Sequence, residues 1–330
     1  MRTKALPFII LILVGGTGTS AAAPDDPGFA KQWNMRKIGI PSAWTVGNGE
    51  GVTIAVVDTG VNLAHPDLAS KIVQGKNFVQ DGRPPDDDNG HGTHVAGIAA
   101  ALANNARGVV GVAPGARIMP VKVLDARMRG FDATEAIRWA VDHGADIINL
   151  SFSGSLQGVT GPPFDEAVRY AWSKGVICVA AAGNTYLFDS GYADDPVVVV
   201  TATNRHDRKP HYANAVGQAK WGIAAPGGGG ELDPKEDRVF STWRHNRYAY
   251  NHGTSMAAPH VAGAAAILRG LGLTPEQTVS RLLATAKDLG RPGWDSTFGA
   301  GRLDVAAAVS ATHQTSSSPA PSWNEPEHVR

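Results

Sequence analysis

Three short segments of the chain carry residue types that cooperate in acyl transfer. Asp58 ends an apolar run, His91 begins an apolar helical pattern, and Ser255 begins a helix rich in alanine and glycine. A serine hydroxyl becomes a strong nucleophile when an imidazole takes its proton and a carboxylate orients the imidazole. If the fold brings these residues together, the sequence predicts nucleophilic catalysis at Ser255.

Taken singly, each segment has a simpler explanation. Asp58 could cap a turn, and Ser255 could cap the helix that it begins. His91 and His94 have an i, i+3 spacing that could hold a metal ion, but no glutamate completes a His-Glu-x-x-His pattern and no cysteine lies nearby. We therefore expect His91 to be the base and His94 to be structural.

The hydrophobic pattern predicts the elements that position these residues. Five apolar runs typical of buried strands alternate with helical segments. The predicted strands are Val52–Val57, Ile118–Val123, Ile147–Leu150, Val176–Ala180 and Val197–Thr201. The predicted helices are His91–Ala103, Ala133–His143, Phe164–Lys174, Val261–Leu271 and Pro275–Ala286. This alternation predicts an α/β fold of three layers, α/β/α, with a mostly parallel central sheet. Open sheets of this kind hold their sites at the carboxyl ends of the strands, where Asp58 is expected.

Composition excludes several classes of protein. Lys+Arg and Asp+Glu are 30 each, so the formal net charge is 30 − 30 = 0, which argues against a protein that coats nucleic acid or an anionic membrane. A hydrophobic fraction of 43% is too high for a disordered chain. Cys178 is the single cysteine, so no intramolecular disulfide is possible, and its apolar neighbours predict a buried core residue.

The first residues have the organisation of a secretory signal peptide. Arg2 and Lys4 precede an apolar run from Leu6 to Val14, and small residues continue to Ala23. The apolar run is shorter than the roughly 20 residues that span a bilayer. We expect a signal peptide at residues 1–23, one α/β domain at 24–310, a disordered tail at 311–330, and a mature protein that is secreted without a membrane anchor.

The three segments together resemble the subtilisin-like serine proteases, which have the same chain order of aspartate, histidine and serine. The likeness extends from about Asp25 to Val309, and the spacing from His91 to Val112-Ala113-Pro114 matches the thermitase group without a gap. It implies a subtilisin-like peptidase domain at 24–310 that hydrolyses polypeptides as a monomer. It also implies that Asn184, in Ala182-Gly183-Asn184, donates a hydrogen bond to the oxyanion.

The resemblance further implies which residues bind substrate. An extended segment at Arg127, Met128 and Arg129 would border P2–P4, and strand alternation would place both arginines on one side, favouring acidic substrates. The implied walls of the P1 pocket are Ser151, Phe152, Ser153 and Gly154 on one side and Ala182 and Gly183 on the other. Ser153 stands where relatives have glycine, which argues against large aromatic P1 residues. His252 also departs from the pattern, and either titrates at the rim of the site or lies in a solvated loop.

A structural calcium ion is implied by the same resemblance, in a chain without a disulfide. Calcium takes carboxylate, amide and carbonyl oxygens. The implied ligands are the side chains of Asp26, Asp67 and Asn105 and the carbonyls of Leu102, Arg107 and Val109. Asp86, Asp87 and Asp88 form another acidic run, but the relatives' other ligands are not matched there and no site is predicted. No pro-domain is evident, so we expect unaided folding, a folding helper in trans, or a segment missing from the sequence.

Other functions explain only part of this pattern. A peptidase confined to a narrow processing task is compatible with Ser153, and a catalytically silent scaffold would not need all of Asp58, His91 and Ser255. An esterase of the α/β-hydrolase type would carry Gly-x-Ser-x-Gly and the order Ser, Asp, His, and this chain has neither. A secreted serine endopeptidase that forms an acyl-enzyme on Ser255 is the function that the sequence favours.

Overall fold

The computed structural model describes residues 22–130, 133–152, 165–185 and 194–311. The predicted signal peptide and the predicted tail lie almost wholly outside these residues, and both remain predictions. Among the residues described, no helix combines the length and the apolar character that crossing a bilayer requires.

A parallel sheet forms the middle layer. Its strands are β1 (Thr53–Asp58), β2 (Lys76–Asn77), β3 (Arg117–Lys122), β4 (Ile147–Leu150), β5 (Ile177–Ala181), β6 (Val197–Thr203) and β7 (Trp221–Pro226). In the described part of the chain they lie in the order β2-β3-β1-β4-β5-β6-β7, and all neighbours are parallel. The predicted α/β class and all five predicted strands are confirmed, with shifted ends. β1 lies between β3 and β4, so β2 and β3 extend the sheet on one side of it and β4–β7 on the other. Asp58 ends β1 at this topological switch point.

Helices cover both faces of the sheet. They are α1 (Trp33–Lys37), α2 (Ile40–Ala43), α3 (His91–Ala100), α4 (Ala133–Asp142), α5 (Asp165–Ser173), α6 (Thr254–Gly270), α7 (Pro275–Ala284) and α8 (Val305–Ser310). An antiparallel hairpin, β8 (Val239–Trp243) and β9 (Arg247–Asn251), packs beside α3. Helix α6 begins at Thr254, in agreement with the helix start predicted at Ser255. The periodic pattern begins only at Val261, because the first turns are buried on all sides and contain Pro259.

Alternate residues of β1 face two separate cores. Ile54 and Val56 pack with α3 and α6, whereas Ala55 and Val57 pack with α4 and α5. All four side chains are fully buried, as expected for a strand covered on both faces. The three-layer architecture predicted from the sequence therefore follows from strands that are apolar on both sides.

Close packing joins the two helices that carry His91 and Ser255. A Cβ on Gly263 of α6 would lie 2.8 Å from the carbonyl oxygen of Ala99 in α3, so only glycine fits at this crossing. On the other side of the sheet, Cys178 is 1% exposed, and burial raises the pKa of its thiol to about 12. Its predicted place in the core is confirmed.

Candidate active site

Asp58 and His91 are joined by short hydrogen bonds. His91 Nδ1 lies 2.8 Å from Asp58 Oδ1 and 3.0 Å from Oδ2. Gly92 allows this approach, because a Cβ there would lie 2.1 Å from the carbonyl oxygen of Gly60 and 3.1 Å from the Cβ of Asp58. The Asp58 carboxylate is fully buried and also accepts the amide of Thr59 at 2.7 Å. It is therefore placed to orient the imidazole.

The pKa values of the buried histidines are shifted in opposite directions. Burial alone lowers the pKa of His91, but the charge of Asp58, the hydrogen bond with Asp58 and the charge of Asp87 together raise it above its ordinary value. Burial lowers the pKa of His94 to about 3 and that of His260 to about 4. His94 Nε2 lies 3.1 Å from the carbonyl oxygen of Ala249, a placement that agrees with the structural role expected for it.

Ser255 lies in the first turn of α6, with its carbonyl group held from outside the helix. Pro259 has no N–H to donate to the carbonyl four residues earlier, so the usual helical hydrogen bond is missing. The hydroxyl of Ser151 donates to that carbonyl at 2.8 Å, and Asn149 Nδ2 donates to Ser151 Oγ at 2.8 Å. The end of β4 thereby fixes the backbone of the serine.

Asn184 and the backbone of Ser255 present two N–H donors at one place. The amide and hydroxyl of Thr254 donate to Asn184 Oδ1 at 3.0 and 3.1 Å, which leaves the Nδ2 group as the free end of the carboxamide. A Cβ on Gly253 would lie 3.4 Å from Asn184 Nδ2 and 3.6 Å from Ser255 N, so both donors flank the same point. In the described part of the chain neither donor has an acceptor. Such a pair suits a developing oxyanion.

Ser255 and His91 are not joined by a hydrogen bond in the described part of the chain. Among the hydrogen bonds of the described residues, none joins Ser255 Oγ to His91. In unliganded sites this contact is often long and tightens only when substrate binds. The structure thus brings Asp58 onto His91 and gathers Asn184 beside Ser255.

Asn214 fixes the backbone on both sides of Asn184, a contact that the sequence did not predict. Its Nδ2 donates to the carbonyl of Ala182 at 3.1 Å, its Oδ1 accepts the amide of Thr185 at 2.9 Å, and its own amide donates to the carbonyl of Gly183 at 2.9 Å. Ala182 and Gly183, predicted to line the P1 pocket, are thereby fixed through their backbones. A single asparagine in a loop gives no sequence signal for this contact.

The side chains predicted for the other pocket wall are used elsewhere. Ser151 is committed to the carbonyl of Ser255, and Phe152 is 6% exposed in the core shared with α4 and α5. Only the backbones of these two residues remain to contact a substrate. Ser153 and Gly154 lie outside the described residues.

The segment from Arg127 to Arg129 is a turn, and the extended conformation expected for it is wrong. Asp125 Oδ1 accepts the amides of Arg127 and Arg129 at 2.8 and 3.0 Å, and Met128 has a left-handed φ of 61°. Arg129 also forms an ion pair with Asp125, with Nε 2.6 Å from Oδ2. The side chain of Asp125 outcompetes strand geometry, so simple alternation does not place the arginines.

The residues implied as calcium ligands do come together. Asp67 Oδ2 accepts the amide of Val109 at 3.0 Å, and Asn105 Nδ2 donates to Asp67 Oδ1 at 3.1 Å. Asp26 Oδ2 accepts the amide of Asn104 at 2.7 Å. The loop that carries the other three predicted ligands is bound to the same residues. The amide of Leu102 donates to the backbone carbonyl of Asp67, that of Arg107 to Asn105 Oδ1, and that of Val109 to Asp67 Oδ2.

The charge of this cluster fits a cation. Asp67 is fully buried and Asp26 is 3% exposed. Within the described residues, no lysine, arginine or histidine forms an ion pair with either carboxylate. Two buried carboxylates without a counter-charge are costly unless a cation or protons neutralise them. The oxygen-rich donor set is of the kind that calcium prefers.

His252 is a packed residue at the side of the site. Its ring meets the ring of Tyr212 edge-on, with 5.0 Å between centroids. Burial lowers the pKa of His252, and the charge of Arg238 lowers it further. A freely solvated loop histidine, one of the two expectations for this residue, does not describe this environment.

The fold and the relatives of this chain are those of a serine endopeptidase. The sequence pattern of the subtilase family matches residues 49–301, and the chain belongs to that family. The predicted likeness to subtilisin-like proteases is confirmed.

Named relatives agree with this membership. Thermitase from Thermoactinomyces vulgaris is 39% identical over 291 residues, which cover 87% of this chain and 99% of thermitase. The thermophilic serine proteinase of Bacillus sp. strain AK1 is 41% identical over 299 residues, which cover 88% of this chain and 70% of that protein. A solved protease from Pseudoalteromonas arctica PAMC 21717 superposes with a TM-score of 0.78 at 32% identity, covering 88% of this chain and 99% of that one. The predicted likeness to the thermitase group is confirmed.

Proposed function

We propose that this serine endopeptidase cuts polypeptides through an acyl-enzyme on Ser255. His91 is the base, Asp58 orients it, and Asn184 Nδ2 acts with the Ser255 N–H as the oxyanion donor pair. The observation that carries the proposal is the 2.8 Å contact between His91 Nδ1 and Asp58 Oδ1, which leaves Nε2 as the free nitrogen of the imidazole.

In each half of the reaction, His91 takes a proton from the attacking oxygen and then gives it to the leaving group. Ser255 Oγ bonds to the peptide carbonyl carbon while His91 Nε2 takes its proton, and the oxyanion forms between the two N–H donors. The imidazolium then protonates the leaving amine as the C–N bond breaks. Water repeats the sequence against the ester: His91 takes its proton, the oxygen bonds to the acyl carbon, and the proton returns to Ser255 as the ester bond breaks.

Labelling with a fluorophosphonate tests the nucleophile. The purified protein should take up one label on Ser255 and cleave casein. Ser255→Ala should lose the label and retain only the residual catalysis of the oxyanion site. Ser173→Ala, a matched change at an exposed serine of α5, should behave like wild type. Wild-type turnover in Ser255→Ala would disprove the assignment, and labelling without casein cleavage would favour a narrow processing peptidase.

We also propose a structural calcium ion at Asp26, Asp67, Asn105 and the carbonyls of Leu102, Arg107 and Val109. The support is the pair of buried, unpaired carboxylates beside that loop. The ion would neutralise their charge and clamp the loop to the N-terminal segment. Calcium binding to the native state alone would add about 2.7 kcal/mol to the free energy of unfolding at a hundredfold excess over Kd.

Chelation tests the calcium proposal. In the inactive Ser255→Ala background, which cannot digest itself, EDTA should lower the melting temperature and added calcium should restore it. Asp67→Asn should lower the melting temperature and remove most of the response to EDTA, whereas Asp81→Asn at an exposed position should keep the response. A melting temperature that EDTA does not change would refute the proposed calcium site.

We propose finally that the protein is exported and that residues 1–23 are its signal peptide. The support is their charged, apolar and small-residue order. Expression in a bacterial host should release protein into the medium with its N-terminus at or just before Pro24, as read by mass spectrometry. Retention of Met1 on a cytoplasmic product would contradict this.

A further inference from the structure

The start of α3, which carries the proposed base, is capped by side chains from the loop before it and from the turn after β1. The first N–H groups of a helix have no acceptor within it, and Gly90 has no side chain to cap them. Asn89 Oδ1 accepts the amide of His91 at 3.1 Å, and Thr59 Oγ1 accepts the amide of Gly92 at 2.9 Å. The position of the base therefore depends on these outside acceptors.

Asp87 accepts the remaining amides and is the centre of this cap. Its Oδ1 accepts the hydroxyl of Thr59 at 2.8 Å and the amides of Asn89 and Gly90 at 3.0 and 2.9 Å. Its Oδ2 accepts the amide and the hydroxyl of Thr93 at 2.9 and 2.6 Å. All of these partners donate, which suits an ionised carboxylate, and the side chain is only 6% exposed.

No cation neutralises this carboxylate within the described residues. The nearby buried Lys122 forms its ion pair with Asp88, at 2.7 Å, and not with Asp87. The negative charge of Asp87 is therefore directed at the positive end of α3 and at the base in its first turn. This charge is one of the causes that raise the pKa of His91.

Thr59 connects the cap to the carboxylate of the triad. It directly follows Asp58, and its hydroxyl donates to Asp87 while accepting from the amide of Gly92. The ammonium of Lys122 binds the carbonyl of Thr59. One hydroxyl thus joins the turn that carries Asp58 to the helix that carries His91.

We propose that Asp87 is a positioning residue for the base, acting through the Thr59 hydroxyl and the first amides of α3. This inference rests on the proposed roles of Asp58, His91 and Ser255. Asp87 fixes the entry of the helix, and its charge stabilises the imidazolium that forms in the transition state. Other ionisable groups on the elements around His91 are Asp58, Asp88, His94, Lys122, Arg244 and His260.

The test compares two neighbouring charge removals, Asp87→Asn and Asp86→Asn. Asp86 is exposed, and within the described residues its carboxylate accepts only the amide of Leu63, at 3.1 Å, so its variant controls for net charge. The acid limb of kcat/KM reports the protonation of His91 in the free enzyme. Asp87→Asn should move that limb to lower pH, because a neighbouring negative charge is lost. It should also lower the plateau about three- to tenfold, far less than the roughly 10⁴-fold loss on removing an orienting carboxylate. Asp86→Asn should follow wild type.

Thr59→Val separates position from charge. It breaks the shared hydroxyl but keeps Asp87, so kcat should fall while the acid limb stays in place, and Thr59→Ser should restore kcat. This variant keeps the proposal testable even if Asp87→Asn does not fold. An unmoved acid limb in folded Asp87→Asn, or wild-type kcat in Thr59→Val, would overturn the inference. Fluorophosphonate labelling of wild type at Ser255 would show that the proposed function stands in either case.

Discussion

The helices that carry His91 and Ser255 both begin after a glycine, but their first amides are satisfied to different extents. Both follow a glycine with positive φ, 115° at Gly90 and 141° at Gly253, and neither glycine caps its helix with a side chain. At the start of α3, outside side chains accept every free amide. At the start of α6, Asn184 accepts the amide of Thr254, while the N–H of Ser255 has no acceptor in the described part of the chain.

This difference shows how one physical property can serve two tasks. A helix N-terminus carries partial positive charge and unsatisfied donors. At the start of α3, Asp87 accepts free amides, and its charge helps to raise the pKa of His91. At the start of α6, the N–H of Ser255 stays available for the oxyanion that the proposed reaction would form. Gly90 lets Trp243 pack against the helix start, since a Cβ there would lie 2.5 Å from its ring, whereas Gly253 is needed for its φ of 141°.

The largest expected effect belongs to the open helix start. Asn184→Ala should lower kcat about 10²- to 10³-fold with little change in KM, the loss found on removing one such donor from subtilisin. Thr254→Val should cost less, because the amide of Thr254 still holds Asn184 Oδ1. Steady-state kinetics on a peptide anilide measures both. An unchanged kcat in Asn184→Ala would remove the contrast between the two helix starts.

Acid should destabilise the protein through its buried histidines. His94 and His260 have folded pKa values of about 3 and 4, against 6.5 for an ordinary histidine. The unfolded chain therefore binds more protons below pH 6.5, and stability should fall there by up to about 1.4 kcal/mol per pH unit for each residue. The raised pKa of His91 has the opposite sign, since its contribution is present below pH 6.5 and is lost as pH rises.

Urea unfolding of Ser255→Ala between pH 7 and pH 5 checks this slope. His94→Gln should flatten it, and substitution of the exposed His206 should not. A free energy of unfolding that does not change over this range would show that the buried histidines take up protons in the folded state.

The smallest expected effect concerns Arg127, which the family resemblance predicts to border P2–P4 of the substrate. Arg129 is paired with Asp125, whereas Arg127 has no ion pair within the described residues. Peptides with Glu rather than Lys at P2–P4 should be cut at most several-fold faster, and salt should reduce the difference. Arg127→Ser should remove more of the preference than Arg129→Ser. Equal kcat/KM for the two peptides with wild type at low salt would show that the arginines do not select substrates.

Local patterns made much of the fold and the central residues of the site predictable. Strands buried on both faces are continuous apolar runs, which is why β1 and its neighbours were found. The strand β7 was missed because Trp-Gly-Ile-Ala-Ala-Pro contains few β-forming residues. Asp58, His91 and Ser255 each end or begin an element, so their types and order were visible in sequence.

Contacts between distant segments were not predictable. Asn214 and Thr59 act through hydrogen bonds whose partners lie far away in sequence, and Asp87 gave only the signal of an acidic run. The arginine segment was predicted wrongly because a turn cap by Asp125 is a local competitor that alternation ignores. The role of Ser151 depends on a carbonyl freed by Pro259, which only the three-dimensional structure reveals.

The buried thiol of Cys178 is a natural probe of how often the protein interior opens. Alkylating reagents need both access and a thiolate, and a thiol that is 1% exposed with a pKa raised to about 12 offers neither in the folded state. Modification must wait until the sheet separates from the helices above it. The rate at which a reagent alkylates Cys178 in Ser255→Ala therefore measures how often the interior opens. Such openings are also the events that would expose one protease molecule to digestion by another.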